Sequence, residues 1–343
     1  MRKIDSNVCH DFVFALLHGR WAHAVRGPTL HRLLNSGTVE ALQQALRSVG
    51  LNGTNREIFH RELRTRELSR LAEVAGLLGG GAARYYRSLI AGAHYENLKT
   101  LLHCRFLPEE RQTNPENMLL QAEGVPVLNH QVILRQPDTP AFLEAIPGLP
   151  GLDKGRLSEI VGRFEQDHDI MLLECSLDRM YAAHTYSAAK SAPLDFSRHA
   201  LELNGTRMDI LNLDMLLRNV QTYHFDVSRM AEVWLPGGRR LSIDFLDSQV
   251  DKDIGAVLAA LPEPYRSVLQ PFAEQPLCHG ENALWSLLYR EASRLFMDLD
   301  DPPSTIPAYP VLLHFESLNI SRVYEGVHFG IPSRELEEMM IGA

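Results

Sequence analysis

No two cysteines stand in a Cys-x-x-Cys spacing: Cys9, Cys104, Cys175 and Cys278 are all the chain has, and they lie far apart. Neither a zinc site nor a disulfide framework is built on such a pattern, and a reducing cytoplasm suits it best. A spanning helix needs ~20 apolar residues. The longest charge-free run, Pro302 to Phe315, carries four prolines instead, at 302, 303, 307 and 310. The opening Met1-Arg-Lys-Ile-Asp-Ser leads into the short apolar stretch at Asp11-Phe-Val-Phe-Ala-Leu-Leu, which has neither the h-region nor the cleavage site of a secretory signal. Asn52, Asn204 and Asn319 match the glycosylation pattern only by chance on that reading. Positive charge is also scarce. With 34 Lys and Arg against 43 Asp and Glu the net charge is −9, no footprint for nucleic acid or anionic lipid. The expected partner is a protein; no nucleic acid and no direct membrane insertion are expected.

Signatures of catalysis are missing as well. Gly76-Leu-Leu-Gly-Gly-Gly-Ala-Ala-Arg is the one Gly-rich stretch, and it has no Gly-Lys-Ser/Thr and no preceding strand, so it reads as a helix break and not a phosphate loop. There is no Gly-x-Ser-x-Gly elbow. His94 with His103, His314 with His328, and Asp167-His168-Asp169 are conceivable metal ligands. None has the His-Glu-x-x-His spacing that puts two imidazoles on one helix face, and solvated or hydrogen-bonded histidines are expected. No catalytic residue, cofactor site or metal site is assigned.

What the chain does have is length and helical periodicity. Its 343 residues, 45% hydrophobic, allow two or three units, each with its own core. Val39, Leu42, Leu46 and Val49 share a face behind the N-cap Thr38, and Gly50 is placed to end that helix. A longer amphipathic segment follows Asn55 with its charge on a solvated face. Further helices are expected at 82–106, 154–190, 196–223, 252–261 and 281–297. The stretches Ile146-Pro-Gly-Leu-Pro-Gly and Asp300-Asp-Pro-Pro-Ser-Thr-Ile-Pro read as connectors.

Self-similarity is the most informative signal. Asn97-Leu-Lys-Thr-Leu-Leu, Asn212-Leu-Asp-Met-Leu-Leu-Arg and Asn319-Ile-Ser-Arg-Val-Tyr recur at near-equal spacings, each toward a helix end and each followed by an aromatic. A shorter helix recurs upstream of each: Thr38-Val-Glu-Ala-Leu, Thr139-Pro-Ala-Phe-Leu and Asp253-Ile-Gly-Ala-Val-Leu. Its first residue is the expected N-cap, with Pro140 at the favoured first helical position. Three copies of one helical unit are the expected architecture, over 1–112, 113–228 and 229–343. An asparagine inside a helix has poor propensity, and once buried its amide needs partners. Asn97, Asn212 and Asn319 are therefore expected to be internal pins bridging helices. Arg105 and Arg218, near helix ends, are expected to favour the carbonyls there.

This arrangement resembles the C-type subunits of the prokaryotic V-type (A-type) ATP synthases and their eukaryotic relatives, the d-type subunits of the V-ATPases. The matching residues are Asn97, Leu98, Lys99, Leu101, Leu102 and Arg105 in the first copy, then Asp209, Asn212, Leu213, Leu216, Leu217 and Arg218 in the second. The third copy supplies Glu316, Asn319, Arg322, Gly326, Gly330, Ile331 and Pro332. Trp21-Ala-His-Ala-Val-Arg-Gly-Pro-Thr-Leu-His-Arg-Leu-Leu is similar to the family's first segment, and the similarity runs from about Asp11 to Leu336. His103-Cys104 after the first Leu-Leu and Val323-Tyr324 in place of the third are departures, and residues 107–135 match poorly. The resemblance implies an all-α funnel of three pseudo-threefold-related units. It implies a non-catalytic rotor part without cofactor, peripheral on the cytoplasmic side of the membrane. Its partners would be the ring of c/K proteolipids and the central-shaft subunits D and F, and its role the coupling of the two for proton or sodium transport. A helical scaffold unrelated to ATPases is the alternative; a solenoid would show shorter periods of ~30–50 residues.

Overall fold

The computed structural model describes residues 6–107, 115–273 and 277–342, and helix is the only regular secondary structure among them. The all-α expectation holds. The expected boundary between 112 and 113 lies outside the described residues, as does the start of the chain at 1–5.

Short polar side chains set where helices begin. After α1 (Ser6–Ala22) and α2 (Pro28–Leu34), α3 (Val39–Ser48) starts where the Thr38 hydroxyl accepts from Ala41 N at 3.2 Å. It ends at Gly50, whose φ of 76° is the left-handed turn that glycine adopts without strain. Two residues join α4 (Arg56–Leu77) to α5 (Gly80–Phe106). Gly81, in the first turn of α5, serves a close approach, since a Cβ on it would lie 2.5 Å from Ala192 Cα. Next come α6 (Pro115–Met118), α7 (His130–Leu134) and α8 (Thr139–Ala145). The cap of α8 is Asp138, accepting from Ala141 N at 2.8 Å, so Thr139 and Pro140 fall one residue deeper than the sequence suggests. A carboxylate at the positive end of the helix outcompetes the neighbouring hydroxyl.

The segment expected as one helix over 154–190 is two: α9 (Lys154–Asp167) and α10 (Ile170–Lys190). His168 closes the first at φ 56°, and Asp169 caps the second by accepting from Leu172 N at 3.0 Å. Asp167-His168-Asp169 is thus a helix joint. α11 (Leu194–Arg218) continues into a π-helical turn at 219–223, followed by α12 (Val227–Val233), α13 (Ile243–Asp247), α14 (Ile254–Ala260) and α15 (Tyr265–Leu269). The last three helices are α16 (Leu277–Phe296), α17 (Thr305–His328) and α18 (Ser333–Glu338). α17 takes in the end of the expected connector, because Pro307 sits in the first turn, where its missing N–H costs nothing. Pro310, further inside, has no N–H for the Ile306 carbonyl, and the Tyr86 hydroxyl donates to that oxygen instead at 2.6 Å.

Six long helices form a closed ring in which α4 packs on α5, α5 on α10, α10 on α11, α11 on α16, α16 on α17, and α17 back on α4. Short connections make hairpins of α4/α5, α10/α11 and α16/α17. Their turns meet at one end, where Arg84 reaches Ser191 O and Asp301 pairs with Arg198 at 3.0 Å and His199 at 2.7 Å. The ring closes between the two ends of the chain. There Glu316 accepts from Val25 N at 2.9 Å and pairs with Arg70 at 2.9 Å, while the Phe59 and Tyr324 rings stack 3.7 Å apart. Away from the turns the core divides. One cluster joins the C-terminal half of α5 to α7–α9 and the start of α10, and another joins α2–α4 to the C-terminal half of α17. The largest runs through the ring and α12–α16.

Candidate functional site

The three asparagines are bound alike. Asn97 Nδ2 donates to Leu120 O at 2.9 Å while its Oδ1 accepts from Leu120 N at 2.7 Å. Asn212 makes the same pair with Leu235, at 2.9 and 2.8 Å, and Asn319 with Ile341, at 2.8 and 3.0 Å. The partners lie 23, 23 and 22 residues further on, just past α6, α12 and α18. Each amide thus mimics a strand neighbour for one backbone unit. It ties a connecting segment to a ring helix, where the sequence suggested a helix-to-helix bridge. All three side chains are buried, so these bonds satisfy donors and acceptors that water does not reach.

One residue at a fixed offset before each asparagine extends the pin. Asp209, with no exposed surface, accepts from Arg239, Arg240 and Leu241 N and from the Tyr265 hydroxyl at 2.8 Å. Burial pushes its carboxyl pKa up, and those four donors offset only part of that. Glu316 holds the ring closure described above, and His94 Nε2 lies 3.2 Å from Gly124 O. Behind the asparagines, Leu101, Leu102, Leu216 and Leu217 are all buried. Arg105 and Arg218 lie in the last turns of α5 and α11, and their guanidinium groups bond outward from there. Arg105 donates across to Gln136 O at 2.9 Å and lies over the Phe142 ring, and Arg218 pairs with Asp214 at 2.8 Å and Glu281 at 3.2 Å. Arg322 donates to Asn282 Oδ1 at 2.9 Å and to Met339 O.

The short recurring helices fall into step once α8 is capped by Asp138. Thr38, Asp138 and Asp253 each accept from the N–H of an alanine, Ala41, Ala141 and Ala256. The apolar pairs Leu42/Leu46, Phe142/Ile146 and Val257/Leu261 behind them expose no surface.

At the centre of the ring lies a cavity of about 60 Å³ lined by all six long helices. Leu89, Asn204 and Val311, at one common offset before the three asparagines, all face it. On one wall the buried Glu67 takes a charge-assisted hydrogen bond from Arg64, with His314 Nδ1 at 3.6 Å. Burial alone would raise the Glu67 pKa, but the Arg64 charge and the hydrogen bonds from Arg64 and the His314 ring outweigh it and hold it down at about 2. On another wall stand Asn204 and Arg207. Nothing in the sequence pointed to this cavity directly. The signal that finds it is the offset from each asparagine, which carries no sign of its own because the three positions hold a leucine, an asparagine and a valine.

The candidate ligand histidines lie apart: His103 faces Glu174 at 2.7 Å and His328 Nδ1 the Tyr324 carbonyl at 2.7 Å. Among the described residues no three His, Cys, Asp or Glu side chains are grouped to hold a metal, and no helix is long and apolar enough to cross a membrane. The sequence model of the family described as ATP synthase (C/AC39) subunit matches residues 14–339. A search of curated proteins finds no match.

Proposed function

The chain belongs to the ATP synthase (C/AC39) subunit family, and on that premise we propose that it is a non-catalytic part of the rotor of a V/A-type ATPase. In this reading it sits peripherally on the cytoplasmic side of the membrane and couples the central-shaft subunits D and F to the c/K proteolipid ring, so that hydrolysis and proton or sodium transport are linked. The observation that carries the reading is the family match, which takes in nearly the whole chain. The physical character of the molecule supports it. A part that passes torque from one partner to another acts by shape and contact, and it must not shear between its ends. A closed six-helix ring, locked by three amide pins and by the Glu316 contacts where the chain ends meet, has that stiffness. Affinity-tagged protein, isolated from its own cells in mild detergent, is expected to bring down both the proteolipid ring and the D–F shaft. Recovery of neither, with the tag accessible and the protein folded, contradicts the proposal.

A further inference from the structure

The central cavity is richer in donors than in acceptors. Glu67 is its one carboxylate, and Arg64 and His314 already occupy it. The opposite wall holds two donors without partners. Asn204 is 6% exposed, yet its Nδ2 is bonded to nothing, and a buried donor left so costs roughly 1–3 kcal/mol. Arg207, half-buried one turn further on, makes no ion pair or hydrogen bond among the described residues. Its charge lies close enough to the Tyr85 and Tyr181 hydroxyls, on two other helices, to act on both, and burial raises the pKa of each tyrosine, keeping them neutral. With Arg64 and Glu67 cancelling, the cavity keeps one uncompensated positive charge inside a collar of Leu71, Leu89, Trp285 and Phe315.

From this juxtaposition we propose that the central cavity is a carboxylate-binding site, in which Arg207 and Asn204 Nδ2 together hold the two oxygens of an entering carboxylate. Guanidinium and amide donors on successive turns of α11 offer two charge-assisted contacts to one such group, while a cation would meet Arg207 and an apolar group would leave Asn204 unsatisfied. The space suits the end of an acidic side chain or a small free carboxylate and excludes a nucleotide.

Two arms of one experiment separate those sources. In the first, the full-length protein is titrated with glutarate at constant ionic strength and followed by calorimetry and by the side-chain NMR signals of Asn204 and Arg207. Glutaramide and 1,5-diaminopentane are the neutral and cationic controls. Saturable one-to-one binding of glutarate alone is expected, weakened roughly tenfold or more by Arg207→Met and by Asn204→Leu, with Arg207→Lys intermediate. The second arm rests on the rotor reading. The same variants, checked by thermal melting to be folded, are measured for affinity to the isolated D–F shaft. A matching loss there assigns the carboxylate to the shaft. An unchanged shaft affinity beside weakened glutarate binding assigns the site to a free carboxylate. If the wild-type protein does not bind the shaft at all, the rotor reading fails and the glutarate arm alone decides. Equal binding of the diamine or the diamide overturns the proposal. So does the absence of saturable glutarate binding together with no effect of Arg207→Met on the shaft.

Discussion

The pins and the central cavity use the same residue type to opposite ends. Asn97, Asn212 and Asn319 each have both amide atoms bonded to one backbone unit, whereas Asn204, almost as buried, has a donor bonded to nothing. The comparison separates polar groups that hold the fold from polar groups held ready by it. Breaking the first kind costs stability, and breaking the second costs none.

The largest effect is expected from breaking the helix that carries both. Leu216→Pro removes a fully buried side chain and a hydrogen bond from α11, costing at least ~3 kcal/mol for the proline and a further ~2–5 for the lost packing. Circular dichroism should show it unfolded or molten at 25 °C; native helicity with a sharp thermal transition would show that α11 is not central to the ring.

Next comes Asn212→Leu, which strands the N–H and C=O of Leu235. Two part-buried groups, toward the lower end of roughly 1–3 kcal/mol each, put the loss near ~3 kcal/mol by urea unfolding. Asn97→Leu should lose a similar amount, the geometry being the same. A loss under about 1 kcal/mol at either site would mean that the pins are incidental.

Glu67→Gln tests the saturated wall of the cavity. The folded carboxyl titrates at about 2, below its ordinary value of 4.5, so its contribution is fully present above pH 4.5 and is lost as the pH falls toward 2. The wild type should therefore lose up to ~3 kcal/mol more than the variant across that window, and the variant should be the less stable of the two at pH 7. Parallel acid limbs for the two proteins would contradict the arrangement.

Asn204→Leu is expected to do least. With no bond to lose it should leave the melting temperature unchanged or raise stability by up to ~1 kcal/mol, the reverse of the same substitution at Asn212. A loss as large as that at Asn212 would erase the distinction.

Much of this architecture was legible in the residues. Helical periodicity, the caps at Thr38 and Asp253, the turn at Gly50 and the recurring asparagines all act locally, within a few residues of themselves. What stayed hidden depends on distant partners. The partner of Asn97 is the backbone of Leu120, and a backbone leaves no mark in a sequence. α17 runs through Pro310 because Tyr86, far away in the chain, satisfies the stranded carbonyl. The break at His168 was local, but helical periodicity runs on both sides of it, so 154–190 reads as one helix although Asp169 caps a second. The cavity was hidden for a further reason. Its lining comes from six helices that are brought together only when α17 closes on α4.

The most direct test of the rotor reading pairs two activities in one preparation. ATP hydrolysis by the soluble head and ATP-driven ion transport into vesicles are measured on assemblies with and without this chain. The account predicts that hydrolysis by the detached head survives without it and that transport is lost, to be restored when purified protein is added back. Full transport in its absence would contradict the coupling role, and loss of head hydrolysis would assign the chain to catalysis or head assembly instead.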